Sequence, residues 1–523
     1  MNSRAVIAVL KCVLLGVALI EVCSGCRRPT SPDKPVATPT ARDLFREPSG
    51  ELVEESWNAH YIRDAKVGNR HVRTFREETP DGPLYQIEAV DTLELRRFGD
   101  IVRQELTTVS LESSEGKVKQ LAYRVVNGDS TRTVNGIVHD GTMELEDSVA
   151  GTSAKTRYAW ADDQRGIFAV ERTLLRQPMQ VGERRSLLAF LPLLDRIVQV
   201  ELAAIRLEMA TIGDNDRELL RIESVDPLAE GWRIPTVYWC DVEGHILKTK
   251  EAFLDRQTVQ VTEAEANRRN DLVRVDLGVD IGVKLERAIN RPLDTTRAVY
   301  RISLEDLNPK AVFANCLSQR VIESENNTAL VTVSKVTPDQ PTELDIAVSQ
   351  PKPEDLSPNA IIQSDHPRVV ALANAVAETV EDPWQAAKLL ENFLYRSLSK
   401  EDFSQVFSSA GEVAESRKGD CSEHAVLLAA TCRARGIPAR VAIGLFYAER
   451  EQSFLYHMWT EVWIKDRWVP LDATLGRGSV GGCYLKLRDS SLAHQSPYAL
   501  VSPVIYLIDK LKIEPMDLSP SAG

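Results

Sequence analysis

The sequence predicts an α+β protein, with a β-rich N-terminal region followed by a C-terminal unit in which helices come first and strands after. Two observations carry this. From about residue 49 to 350, short runs such as Thr92-Leu-Glu-Leu alternate apolar and polar side chains and close at hairpin signals, Asn127-Gly128 and Asp241-Val-Glu-Gly244. From Asp365 the apolar spacing becomes helical, and after Pro438 it gives way to aromatic and β-branched runs. Separate blocks of helices and strands exclude a doubly wound sheet.

The chain has 523 residues, more than one ordinary domain, so two or three are expected. With 43% hydrophobic and 27% charged residues the composition is that of a globular protein, and a net charge of −13 without a basic cluster argues against a nucleic-acid partner. No metal-protease, phosphate-loop or dinucleotide fingerprint is found, and neither a metal nor another cofactor is expected.

Taken in order, residues 1–25 read as an export signal: Arg4 and Lys11 flank an apolar run from Ala5 to Ile20 that is short for a membrane span. Val22-Cys23-Ser24-Gly25-Cys26 resembles a bacterial lipoprotein processing box with Cys26 as lipid acceptor, although Cys23 stands where leucine is usual. The implied location is extracytoplasmic, held to the membrane by lipid in the periplasm or cell envelope. Residues 26–48 form a Pro/Thr-rich tether. A β-rich domain is expected over 49–275 and a second β-rich segment over 276–350. Neither carries a catalytic constellation, and their expected job is docking or shielding.

Helices follow. Val369, Leu372, Ala373, Val376 and Val380 share one face, and Asp382-Pro383 is an N-cap with proline at the first helical position. After the turn Lys418-Gly419, Asp420 and Glu423 make an N-cap with its capping-box partner. Cys421, Ala425, Leu428 and Cys432 form one stripe of that helix, which Gly436 and Pro438 close. Cys421 thus sits where unpaired N–H groups and the helix dipole stabilise a thiolate, while Asp420 opposes it, so a base is needed. Tyr456 to Ile464 and Arg467 to Thr474 read as strands joined at Lys465-Asp466. That loop pairs Trp463 with Trp468. It puts His457, Trp459, Glu461, Trp468, Pro470 and Asp472 on one face, with Asp472 diagonal to His457. A one-residue slip would abolish the relation. The residues therefore suggest a Cys421–His457–Asp472 triad of nucleophile, acid/base and orienting carboxylate. His424, one turn after Cys421, is a second candidate base. Trp459, Trp463 and Trp468 read as core or cleft wall. Tyr498 to Lys512, apolar and β-branched, reads as a strand packing back on the core.

Of eight cysteines, Cys421 and Cys432 cannot bridge, lying about 16 Å apart along one helix. Cys432 with Cys483 stays open.

Ser409-Ala-Gly-Glu-Val413, Gly419-Asp-Cys421, Gly436-Ile-Pro-Ala-Arg-Val441, His457-Met-Trp-Thr-Glu-Val-Trp463 and Trp468-Val-Pro-Leu-Asp-Ala-Thr474 together resemble the bacterial transglutaminase-like core, over roughly residues 356–485. The resemblance implies a papain-like α+β fold with Cys421, His457 and Asp472 at the triad positions, and a C-terminal tail from 486 to 523. It leaves the reaction open, since the family holds crosslinkers, peptidases, amidases and members without catalysis. The expectation is an exported cysteine-dependent acyl-transfer enzyme acting on a peptide, protein or amide-bearing envelope substrate through a thioester, with amidase or peptidase action favoured over crosslinking. The alternative is a catalytically inactive binding module at the cell envelope.

Overall fold

The computed structural model describes residues 42–97, 100–128, 130–149, 151–192, 194–229, 232–270, 276, 281–339, 346, 348–399, 408–493 and 497–520. The segment read as an export signal, Cys26 and most of the stretch read as a tether lie outside the described residues. No helix among the described residues is long and apolar enough to cross a membrane.

The N-terminal region is built from β1 (Glu51–Ile62), β2 (Ala65–Glu77), β3 (Leu84–Arg97), β4 (Asp100–Ser113), β5 (Val118–Asn127), β6 (Ser130–His139), β7 (Thr142–Val149), β8 (Thr152–Ala159) and β9 (Gln164–Arg165). After helix α1 (Ala169–Arg176) come β10 (Arg184–Leu191), β11 (Arg196–Ile212), β12 (Asn215–Ala229), β13 (Trp232–Cys240), β14 (Ile246–Glu251) and β15 (Arg256–Val261). All fifteen strands join one sheet, ordered β8 to β1 and then β15 to β9, so nearly every neighbour is a sequential hairpin. The turns at Gly128 and Gly244 have positive φ, +56° and +89°, which glycine alone adopts without steric cost. Residues of β1 to β4, β10, β13 to β15 and α1 line one cavity, so the sheet curls around it with α1 against its concave face.

Short helix α2 (Glu263–Ala266) leads on to β16 (Val283–Lys284), β17 (Thr295–Leu304), β18 (Gln319–Glu323) and β19 (Thr328–Ser334). Four helices follow, α3 (Pro367–Ala377), α4 (Pro383–Ser397), α5 (Ala410–Ser416) and α6 (Cys421–Ala434), then β20 (Ala439–Ala448), β21 (Ser453–Ile464), β22 (Arg467–Leu471), β23 (Tyr484–Ser490), α7 (Pro497–Leu507) and β24 (Leu511–Pro520). The second sheet runs β16-β21-β20-β23, with β22 also on β21; the third runs β18-β19-β17-β24.

The apolar segment read as a strand from Tyr498 is corrected: it is helical to Leu507, and only Leu511 onward is a strand, paired with β17. Leu500, Val501, Val504 and Leu507 are all buried, and an apolar run has no period with which to choose helix or strand. Val380, placed on the first helix by its spacing, lies beyond the end of α3. The N-terminal sheet and the helical unit touch: Gln363 Nε2 donates to Thr152 Oγ1 at 3.0 Å, and Arg63 pairs with Asp509 at 3.0 Å.

Candidate functional site

Helix α6 is started by local chemistry. Asp420 caps it, accepting from Ser422 N at 3.0 Å and Ser422 Oγ at 2.8 Å, while Glu423 Oε2 accepts from Asp420 N at 3.0 Å. Glu423 Oε1 also takes the N–H of Ser408, at 3.3 Å. Gly419 is required by close approach, since a Cβ there would lie 2.3 Å from Glu423 Cβ. The result places Cys421 at the first helical position, wholly buried. The dipole argument for a thiolate therefore applies to the thiol as placed.

The hairpin β21–β22 has the expected register, Trp463 opposite Trp468 and Thr460 opposite Leu471. Lys465 and Asp466 both have positive φ, +47° and +59°, as a two-residue hairpin turn requires. Just past β22, Asp472 Oδ2 meets His457 Nε2 at 2.8 Å, both side chains buried. Thr474 N donates to Asp472 Oδ1 at 2.8 Å and Tyr484 OH to Oδ2 at 2.7 Å. Burial pushes the Asp472 carboxyl up, but the imidazole charge and these donors outweigh it, and the group lies below its ordinary range. The uncharged tautomer that can donate to an ionised Asp472 carries its proton on Nε2, which leaves the lone pair on Nδ1. Nδ1 is buried and has no hydrogen-bond partner, the Cys421 thiol included.

The structure thus joins His457 directly to Asp472, and places Cys421 on the helix packed against the same strand. Thr460 Oγ1 of β21 donates to the carbonyl of Ala425, one turn after Cys421, at 2.9 Å. Around His457 stand Phe446, Trp459 and Tyr484, with ring centroids 5.6, 6.4 and 6.0 Å away. Trp459 Nε1 is a second buried group without a hydrogen-bond partner on this side of the strand. His424, the second candidate base, is tied to the helix start by Nδ1, which donates to the Asp420 carbonyl at 2.6 Å. Glu461 is held between Arg440, 2.8 Å away, and Lys486, 2.7 Å away, in a buried ion cluster.

Two groups escape the sequence reading. Tyr484 opens β23, and nothing in its spacing marks it as a partner of Asp472. Glu391 lies on α4 between Ala387 and Leu394, a carboxyl in an apolar stripe, which is a legible sign. It accepts the N–H of Gly478 at 3.0 Å, and burial together with the Asp472 charge pushes it up to about 8.

None of the five cysteines among the described residues, Cys240, Cys316, Cys421, Cys432 and Cys483, forms a disulfide. Burial drives Cys240 up to about 12 and Cys483 to about 11, where they are inert thiols. One group among the described residues brings metal-ligating atoms within 4.8 Å of one another, Asp241, Glu243 and His245 in the β13–β14 turn. It is largely exposed, and His245 Nδ1 already bonds Asp241 at 3.0 Å.

Among curated proteins nothing matches the chain. The solved structure of a "putative cysteine protease" from Cytophaga hutchinsonii is 17% identical, covers 44% of this chain and 91% of its own, and has a TM-score of 0.28. A β-barrel-like protein of a domain of unknown function from Brucella abortus is 9% identical, covers 40% and 96%, and scores 0.29. A "putative protease" from Parabacteroides distasonis is 11% identical, covers 68% and 64%, and scores 0.17. Residues 370–473, which include Cys421, His457 and Asp472, match the Transglutaminase-like superfamily, so the chain carries a transglutaminase-like domain there.

Proposed function

We propose that the C-terminal domain is a cysteine-dependent acyl-transfer enzyme acting on carboxamide or peptide bonds. The observation that carries this reading is the state of His457: one nitrogen is anchored by Asp472 and the other is kept buried and unpartnered, on the strand that packs against the Cys421 helix. An imidazole with a spare lone pair is costly to bury unless it is used.

In this mechanism His457 Nδ1 takes the Cys421 proton and the thiolate attacks the substrate carbonyl. The tetrahedral intermediate places its charge near the N-terminus of α6, where the backbone N–H of Cys421 is a natural donor. Trp459 Nε1–H is the candidate for a second. Collapse breaks the C–N bond, and His457 returns the proton to the departing amine, leaving a thioester on Cys421. Water, deprotonated by His457, then releases the acid and restores the thiol. We favour hydrolysis over crosslinking because an amine must outcompete water. We further propose that the protein is exported and lipid-anchored through Cys26 at the cell envelope, where its peptide or amide substrate would lie. Labelling with a palmitate analogue that survives in Cys26→Ser would exclude the anchor.

The test of the reaction is incubation with dimethylated casein, following ammonia release, chain cleavage and incorporation of a labelled amine. Release or cleavage that vanishes in a folded Cys421→Ala protein is expected. Full turnover by that variant would end the proposal, and no turnover by the unaltered protein would replace it with the inactive binding module.

A further inference from the structure

The curled N-terminal sheet encloses a cavity of about 260 Å³, at the small end of ligand-pocket sizes. Its wall follows the period of two: Glu54, Ser56, Asn58 and His60 come from β1, and Arg256, Thr258 and Gln260 from β15. The polar part is built rather than incidental. His60 bonds Asp91 at 3.0 Å and Thr258 at 3.0 Å, and Arg70 bonds Asp91 at 3.2 Å.

Beside this satisfied group, three lining side chains are not satisfied. Arg256 Nε, Glu251 Oε2 and Thr236 Oγ1 are buried without a hydrogen-bond partner, in residues only 7%, 7% and 4% exposed. Arg256 Nη1 and Glu251 Oε2 stand 3.7 Å apart, close enough to compensate charge but too far to bond. Each such orphan costs free energy, and three facing one cavity call for a common partner.

The chemistry of that partner follows from the wall. Arg256 Nε–H can only donate, so an acceptor must meet it, while the Thr236 hydroxyl accepts and donates. The lining arginines are each paired with lining carboxylates, Arg70 with Asp91 and Glu171, Arg172 with Glu54 and Arg256 with Glu251, which leaves no unpartnered charge to hold an ion. An apolar part of the lining, with Ile87, Leu106, Phe168 and Leu191, lies beside these polar groups.

We propose that this cavity binds a small uncharged amphiphile, whose hydroxyl or carboxamide head bonds Arg256, Glu251 and Thr236 while its short apolar body lies against the remaining wall. Burial raises Glu251 to about 7, in keeping with a site that disfavours added negative charge. The site is separate from the transglutaminase-like domain and does not depend on its chemistry.

Calorimetric titration of the whole chain with four probes sharing one alkyl body tests the proposal: 1,2-hexanediol, hexanamide, hexanoate and hexylammonium. The diol or the amide should bind at least about tenfold more tightly than either ion, and which of the two wins identifies the head group. Thr236→Val should weaken the better neutral probe about fivefold, and Thr236→Ser should restore it. An ion binding as tightly as the neutral probes, or no binding of any probe at about 10 mM, would overturn the proposal. Unchanged affinity in Thr236→Val would overturn it too. If that variant does not fold, the four-probe comparison on the unaltered chain decides alone.

Discussion

Among the described residues there are two buried histidine–carboxylate pairs, and they differ at the second ring nitrogen. In the N-terminal sheet His60 Nε2 bonds Asp91 at 3.0 Å, and in the C-terminal hairpin His457 Nε2 bonds Asp472 at 2.8 Å. His60 spends its other nitrogen on Thr258, and its carboxylate is shared with Arg70. His457 leaves Nδ1 unpartnered. A histidine–carboxylate bond is therefore no mark of catalysis by itself. In the proposed mechanism the second nitrogen is what separates a satisfied structural pair from one that takes a proton.

The largest effect that sharpens this contrast is on turnover. His457→Ala should lower kcat/KM at least about 10³-fold, nearly as much as Cys421→Ala, because the two act as a unit. Asp472→Ala should cost less, about 10²-fold, since it orients rather than reacts. Equal turnover in wild type and His457→Ala would erase the distinction between the pairs.

His60 should express itself in stability instead. Burial is the main reason its folded value drops from 6.5 to about 4. Between those values the unfolded chain binds a proton that the native one refuses. Stability is complete above pH 6.5 and falls as pH drops toward 4, by roughly 2–3 kcal/mol in all. Chemical denaturation across that window should show the loss in wild type and a flatter curve in His60→Gln. A wild-type curve as flat as the variant's would contradict the buried neutral assignment.

Glu391 gives the reverse sign. Its folded value of about 8 exceeds the ordinary 4.5, so the native state holds the extra proton and stability declines as pH rises from 4.5 through 8. Glu391→Gln keeps an acceptor for Gly478 and removes the titration. It should gain on the order of 4 kcal/mol at pH 9 and little at pH 5. No gain at pH 9 would show that Glu391 ionises freely.

How much of this was legible follows from range. The Asp420–Glu423 capping box and the Lys465-Asp466 turn are local, so the position of Cys421 and the Trp463–Trp468 register were readable from a few residues. Tyr484 reaches Asp472 only because β23 pairs with β20, and His60, Asp91 and Arg256 meet only because β1, β3 and β15 curl around one cavity. Long-range pairings of that kind leave no pattern in neighbouring residues. The tail misled because Leu500 to Leu507 is apolar without alternation, and tertiary burial chose the helix.

Reaction of the intact protein with a limiting amount of iodoacetamide at pH 7, with the modified cysteine located by mass spectrometry, tests the central claim most directly. Among the five cysteines of the described residues, exposure alone would have Cys316 react first, since it is half-buried and Cys240, Cys421, Cys432 and Cys483 are buried. An activated thiolate reverses that order. The account predicts that Cys421 is alkylated ahead of Cys316, and that His457→Ala restores the order set by exposure. Alkylation of Cys316 first in the unaltered protein, with Cys421 untouched, would contradict it.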